Sequence, residues 1–226
     1  MIQTACMDVR WLEEEALLAS YSRYVSERCR EKLQRLRPLS SRAKTLGAEL
    51  LLWEVLRRQG KQADREIMEQ EGGKPYFPQT PEISFNLSHS GDFVACVVSD
   101  HAAGVDIQEV RPQKADVAGR YFTERERNYI AESGQPEQAF IEIWSLRESY
   151  MKKTGEGFAL PLGEFSIETG DEIRVIRNGI RQPEAFRLWH PIPGYVLTVC
   201  GAKDISPQVL HVTEIEVRNK EWNGEN

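Results

Sequence analysis

The chain contains no apolar run approaching the roughly 18 residues needed to span a membrane. It has only four cysteines, Cys6, Cys29, Cys96 and Cys200, widely scattered and without a CxxC pair. That spacing argues against a zinc site or a disulfide framework and for reduced, buried thiols in a cytoplasmic protein. Positive charge is not in excess: 29 Lys and Arg stand against 35 Asp and Glu, a net charge of −6. A nucleic-acid partner is therefore not expected. The N-terminus, MIQTACMDVRWLEEE, brings acids early and has no apolar h-region, so no secretory signal is expected. A Walker loop is missing too. Gly72-Gly73-Lys74 has the wrong spacing, and no Ser or Thr follows the lysine. What is present is 226 residues with 40% hydrophobic and 28% charged content. That suits a globular protein of one large domain or two small ones, with enough chain to bury a core.

The most informative stretch is Phe85 to Glu109, FNLSHSGDFVACVVSDHAAGVDIQE. Phe85 and Leu87 alternate with Asn86 and Ser88, as in a strand, and Ser90-Gly91-Asp92 supplies a turn. Phe93 to Val98 is a continuous apolar run, as in a strand buried on both faces. A third short strand, Val105-Asp106-Ile107, sets a carboxylate between two β-branched residues. A poorly solvated acid needs a cation, a donor or a raised pKa. Ser88-His89-Ser90 puts an imidazole beside two hydroxyls. Together these residues suggest a place where an anionic ligand and a metal meet.

Elsewhere, residues 2–10 read as an edge strand and 12–36 as a helix. A second, strongly apolar helix follows over 42–59, capped by Ser40 or Ser41 and ended by Gly60. Residues 23–44 hold eight bases and two acids, a local +6. This is either a solvated helix face or the wall of a pocket for a phosphorylated ligand. A short helix is expected over 117–122, and Thr123-Glu124-Arg125-Glu126 resembles a capping box. Residues 137–153 form a long helix on which Phe140, Trp144, Glu148 and Lys152 share one stripe. The acid–base pair alone would be a surface salt bridge. The aromatics below it bring Glu148 to the edge of the core. Strands are expected near 164–168, 172–177, 185–189 and 195–200, with Asn223–Asn226 frayed.

A faint internal repeat aligns FNLSHS-GDFVACVVS (85–99) with FRLWHPIPGYVLTVCGA (186–202). The expected fold is therefore α+β, a pseudo-dimer of two similar halves. Each half would be a small antiparallel sheet on a long helix, divided as 1–103 and 104–226, with the site between them.

Four patterns now stand in register: Gly73-Lys74-Pro75-Tyr76, Phe85 to Gly91, Gly104-Val105-Asp106-Ile107, and Trp144 to Lys152. In order and spacing they resemble the Sfp-type phosphopantetheinyl transferases, over about residues 1–205. The resemblance implies a two-halved α+β fold. It implies an enzyme that moves the 4'-phosphopantetheine arm of coenzyme A to a serine of an apo acyl or peptidyl carrier protein. The reaction would use Mg²⁺ and release adenosine 3',5'-bisphosphate. Asp106 and Glu148 would be magnesium ligands, with Glu148 or a water it orients as the base, and Lys152 would neutralise phosphate charge. Lys74, Ser88 and His89 would hold the phosphates of coenzyme A, with Pro75 also on the coenzyme A side and Lys32 near its 3'-phosphate. Arg42 or Lys44, with Arg42 preferred, would match a further arginine.

Two positions depart from the family patterns GxDIE and WxxKExxxK. Gln108 replaces a carboxylate, so two protein carboxylates are expected, with Gln108 a neutral ligand or a partner of a bound water. On a strand it shares the face of Asp106, while Glu109 points away. Arg147 replaces a lysine and offers a fork suited to phosphate. The chain is expected to be a monomer. A catalytically impaired coenzyme A or nucleotide binding module is the alternative, motivated by Gln108. A non-enzymatic interaction domain leaves Asp106 among its apolar neighbours unexplained.

Overall fold

The computed structural model describes residues 1–112 and 121–218, less the side chain of Phe158. The helix expected over 117–122 and the tail 223–226 fall largely or wholly outside these residues. The fold is mixed α+β, in two central sheets with a helix against each.

The first sheet has the order β12-β1-β5-β4, from β1 (Ile2–Asp8), β4 (Ser84–Ser90), β5 (Phe93–Ser99) and β12 (Ile205–Val212). β1 pairs antiparallel with β5 and parallel with β12. It is thus an interior strand and not the edge strand expected, because residues near the chain end return to cover it. Residues 205–218, assigned by the sequence to the second half, lie with the first sheet. Side chains alternate along β5. Val94, Cys96 and Val98 pack on helix α3 (Leu39–Arg58), and Ala95 and Val97 face the second sheet.

The second sheet has the order β10-β11-β6, from β6 (Gly104–Glu109), β10 (Ala185–Trp189) and β11 (Tyr195–Gly201). Val105, Ile107, Leu197 and Val199 meet Ala95 and Val97 in the layer between the sheets. Val196 and Cys200 face helix α5 (Pro136–Thr154). A three-stranded sheet of β7 (Phe165–Glu168), β8 (Arg174–Arg177) and β9 (Ile180–Arg181) adds Phe165, Ile167 and Val175 to that core. A short hairpin, β2 (Met68–Glu69) and β3 (Pro75–Tyr76), completes the strands.

The helix expected over 12–36 is two helices, α1 (Glu15–Ser22) and α2 (Glu27–Arg35). Ser26 breaks it: its hydroxyl caps α2 by accepting from Cys29 N–H, and donates to buried Glu49 of α3 at 2.9 Å. The apolar spacing runs through the break because both helices pack on α3. α3 begins at Leu39 after Pro38, with no side-chain cap. Gly60, at φ 64°, receives the chain as it leaves α3. The Thr123–Glu126 capping box opens α4 (Glu124–Glu132) as expected. Gly155, at φ 81°, ends α5 in the left-handed conformation that glycine adopts without strain.

Candidate active site

β4 and β6 meet through side chains. Asn86 Oδ1, Ser88 Oγ and Ser90 Oγ accept from the N–H groups of Val105, Ile107 and Glu109 at 3.0, 3.2 and 3.0 Å. Three alternate polar residues of one strand thus satisfy the edge of the other. Gly104 starts β6 flat against α5, where a Cβ would collide with Ser149 O and Lys153 N. The site forms where β4, β6 and α5 converge.

Asp106 is 1% exposed. Its Oδ1 accepts from Lys152 Nζ at 2.7 Å and Ser88 Oγ at 2.9 Å, and its Oδ2 accepts from Gln108 Nε2 at 3.1 Å. Lys152 also donates to Ser88 Oγ at 3.0 Å and lies 4.0 Å from Glu148. Among the described residues Glu148 accepts no hydrogen bond. Burial first, and the negative Asp106 second, hold its carboxyl above the ordinary glutamate range, with Lys152 opposing them. Two carboxylates and one ammonium therefore share a poorly solvated cleft with negative charge left over. This is a setting into which a hard divalent cation with oxygen ligands fits.

His89 lies on β4 beside this cluster. Its side chain is exposed at one side, yet the desolvation imposed by its neighbours lowers its pKa, and so do the charges of Lys44, Lys152 and Lys32, in that order. Three lysines gathered around one imidazole suit a phosphorylated ligand. The other bases of the +6 segment are mostly neutralised: Arg28, Arg30, Arg35 and Arg42 pair with Glu69, Glu27, Glu31 and Glu15.

Several predicted residues sit differently from the sequence reading. Arg42, the preferred choice, is paired with Glu15 at 2.6 Å, and Lys44 is the base whose charge reaches His89. Arg147 is 1% exposed and turned into the core. It pairs with buried Glu126 at 2.7 Å and donates to the carbonyls of Phe165 and Leu162. In this arrangement core groups, and not a ligand, hold its guanidinium. Ser88 is fully engaged: it accepts from Lys152 and Ile107 N–H and donates to Asp106, so it positions the carboxylate and has no hydrogen left for a phosphate.

Lys74 donates to the carbonyls of Lys153 and Ala103 at 2.9 and 3.3 Å. Burial, then the charge of Lys153, pull its pKa down to about 8. Pro75 lies half-buried in the short hairpin. Gln108 faces Asp106 as the alternation requires, and Glu109 turns away to pair with Arg111.

A cavity of about 290 Å³ adjoins Gln108, lined by Ser90, Gly91, Phe140, Ile141 and Trp144. A larger one, about 560 Å³, lies near Cys6, Phe93 and His211 and includes none of the acidic site residues. Size therefore does not mark the chemistry here. Asn86 had no assigned role in the sequence, although its alternation with Ser88 and Ser90 was the available signal.

Residues 102–200 match the model of the 4'-phosphopantetheinyl transferase superfamily. Similar to this chain are the 4'-phosphopantetheinyl transferase Sfp of Bacillus subtilis (30% identity over 199 residues, 85% of this chain and 89% of that protein) and the 4'-phosphopantetheinyl transferase ffp of Bacillus subtilis (31% over 202 residues, 85% and 89%). The 4'-phosphopantetheinyl transferase gsp of Aneurinibacillus migulanus is 30% identical over 152 residues, 66% of this chain and 62% of that protein. The holo-[acyl-carrier-protein] synthase of Thermotoga maritima superposes with a TM-score of 0.38 at 14% identity, over 44% of this chain and 61% of that chain, too loosely to bear on the fold. The chain thus has transferase relatives along most of its length. The chain belongs to the Sfp-type 4'-phosphopantetheinyl transferase family and is a phosphopantetheinyl transferase.

Proposed function

We propose that the donor is coenzyme A, that the acceptor is a serine hydroxyl of an apo acyl or peptidyl carrier protein, and that the product leaving is adenosine 3',5'-bisphosphate. The observation that carries this reading is the convergence of Asp106, Glu148 and Lys152 next to the basic surroundings of His89. Asp106 and Glu148 would hold Mg²⁺, with Gln108 a neutral third group or a partner of a bound water. When bound, the ion would draw charge from the diphosphate and bring it against the nucleophile.

The chain's own groups do the rest. Glu148, its basicity raised by burial and by Asp106, accepts the serine proton directly or through a water it orients. Lys152 moves from its bond with Asp106 toward the charge that develops on the leaving bisphosphate. Lys32, Lys44, His89 and Lys74 line the path of the coenzyme A phosphates, with Pro75 beside them. Ser88 and Gln108 keep Asp106 oriented.

In this reading the chain is a pseudo-dimer. Its first half binds coenzyme A, its second supplies the acids, and residues 205–218 tie back to the first. The matching hairpins support it: Phe85 pairs with Val98 as Phe186 pairs with Cys200. One chain carries both halves, so a monomer suffices. The test is intact mass of an apo carrier after incubation with coenzyme A and Mg²⁺. A gain of one phosphopantetheine group is expected. Unchanged mass across acyl and peptidyl carriers would overturn the proposal.

A further inference from the structure

We infer that the buried hydroxyl pair Ser145–Thr198 is a positioning device that sets Asp106 against Glu148. The inference rests on the metal reading of those two acids. Both hydroxyl residues are fully buried, and neither lines a cavity described above. Thr198 interrupts the apolar run of β11 directly opposite Asp106. Its Oγ1 lies 2.8 Å from the carbonyl of Ser145 and 2.9 Å from Ser145 Oγ, and Ser145 Oγ lies 3.3 Å from the carbonyl of Asp106.

Two protons serve these three contacts. Thr198 gives its proton to the Ser145 carbonyl. Ser145 divides its own between Thr198 Oγ1 and the Asp106 carbonyl. Three backbones are thereby joined at one point: α5 at Ser145, β11 at Thr198 and β6 at Asp106. Ser145 precedes Glu148 by three residues, just under one helical turn. Anchoring it fixes both the height and the rotation of α5 where its acid faces Asp106.

The neighbouring contacts of Ile143, Leu146, Val196 and Cys200 are apolar and would tolerate a slide or a twist. Hydrogen bonds are directional and do not. An Ala–Val pair would fill similar space with no hydroxyls to satisfy. What the hydroxyls add is registration. Mg²⁺ holds its ligands at about 2.0–2.1 Å in near-octahedral geometry, so it is sensitive to small errors in the spacing of two carboxylates.

The experiment is calorimetric titration of Mg²⁺ into the coenzyme A-saturated protein, for wild type, Thr198→Val, Thr198→Ser and Ser145→Ala, with melting curves alongside. Thr198→Val and Ser145→Ala should each weaken Mg²⁺ binding by about tenfold, the lower end of what support of metal ligands is worth. The Mg²⁺ needed for half-maximal carrier modification should rise by the same factor, with KM for the carrier unchanged. Thr198→Ser should bind as wild type does. Wild-type Mg²⁺ affinity in folded Thr198→Val or Ser145→Ala would overturn the inference. So would Thr198→Ser as weak as Thr198→Val, which would assign the effect to the methyl group. If Thr198→Val does not fold, Ser145→Ala decides by the same criterion. A wild type that binds Mg²⁺ yet modifies no carrier would sink the coenzyme A–carrier reading, and the affinity comparison would still judge the hydroxyl pair.

Discussion

At the scale of single residues the site is a contest between burial and charge. Glu148 carries its charge into a cleft where burial and Asp106 both oppose ionisation. A carboxyl raised in the fold contributes most to stability at low pH, and that contribution is lost as pH rises through the raised value. Glu148→Gln should therefore melt higher than wild type at pH 7–8 without metal, with the difference fading toward pH 4, while turnover falls at least about 100-fold. Melting curves across pH, paired with carrier modification rates, check both signs. His89 titrates the other way. Desolvation by its neighbours and then the charges of Lys44, Lys152 and Lys32 lower its pKa, and bound phosphates would raise it. Coenzyme A binding should then take up a proton and tighten as pH falls from about 8 toward 6, just below the unperturbed imidazole value. Calorimetry in buffers of differing ionisation enthalpy reads that proton directly. Gln108→Glu replaces the amide that donates to Asp106 with a third carboxylate. The variant should melt lower than wild type without Mg²⁺ and gain more from its addition.

At the scale of elements the decisive contact is β6 on α5. Gly104 permits it, since a Cβ there would meet the backbone of Ser149 and Lys153. Gly104→Ala should cost about 1–3 kcal/mol, as overpacking does, and weaken metal binding by parting Asp106 from Glu148. Denaturant unfolding and Mg²⁺ titration measure the two effects. This contact was legible in the sequence only as a motif. The strand Val105-Asp106-Ile107, the stripe from Phe140 to Lys152 and the capping box at Thr123 can be read from periodicity and turn chemistry, because those signals are local. The break at Ser26 cannot. It depends on Glu49, 23 residues away, accepting from Ser26, and helical spacing continues through it. The family resemblance implies Ser88 at the coenzyme A phosphates, and nothing local in the sequence shows what else its hydroxyl meets. Its three partners come from β6 and α5. The surroundings of Arg147 are equally non-local, since its partner Glu126 lies on α4.

At the scale of the whole molecule, two sheets share an apolar layer and meet at a polar seam. Asn86, Ser88 and Ser90 close the edge of β6, and the acids gather where that seam reaches α5. The two-sided apolar runs at β5 and β11 announced the buried strands. β12 was not foreseen, because Ser206, Pro207 and Gln208 dilute its pattern and its partner β1 lies some 200 positions earlier. Acids from β6 and α5 are proposed to act through one shared ion. A double-mutant cycle on single-turnover carrier modification tests this most directly, using Asp106→Ala, Glu148→Ala and the double variant. Each single variant should lose most of the rate, and the double variant should be no slower than the slower single. Losses that multiply in the double variant would contradict this proposal, for the two carboxylates would then be acting independently.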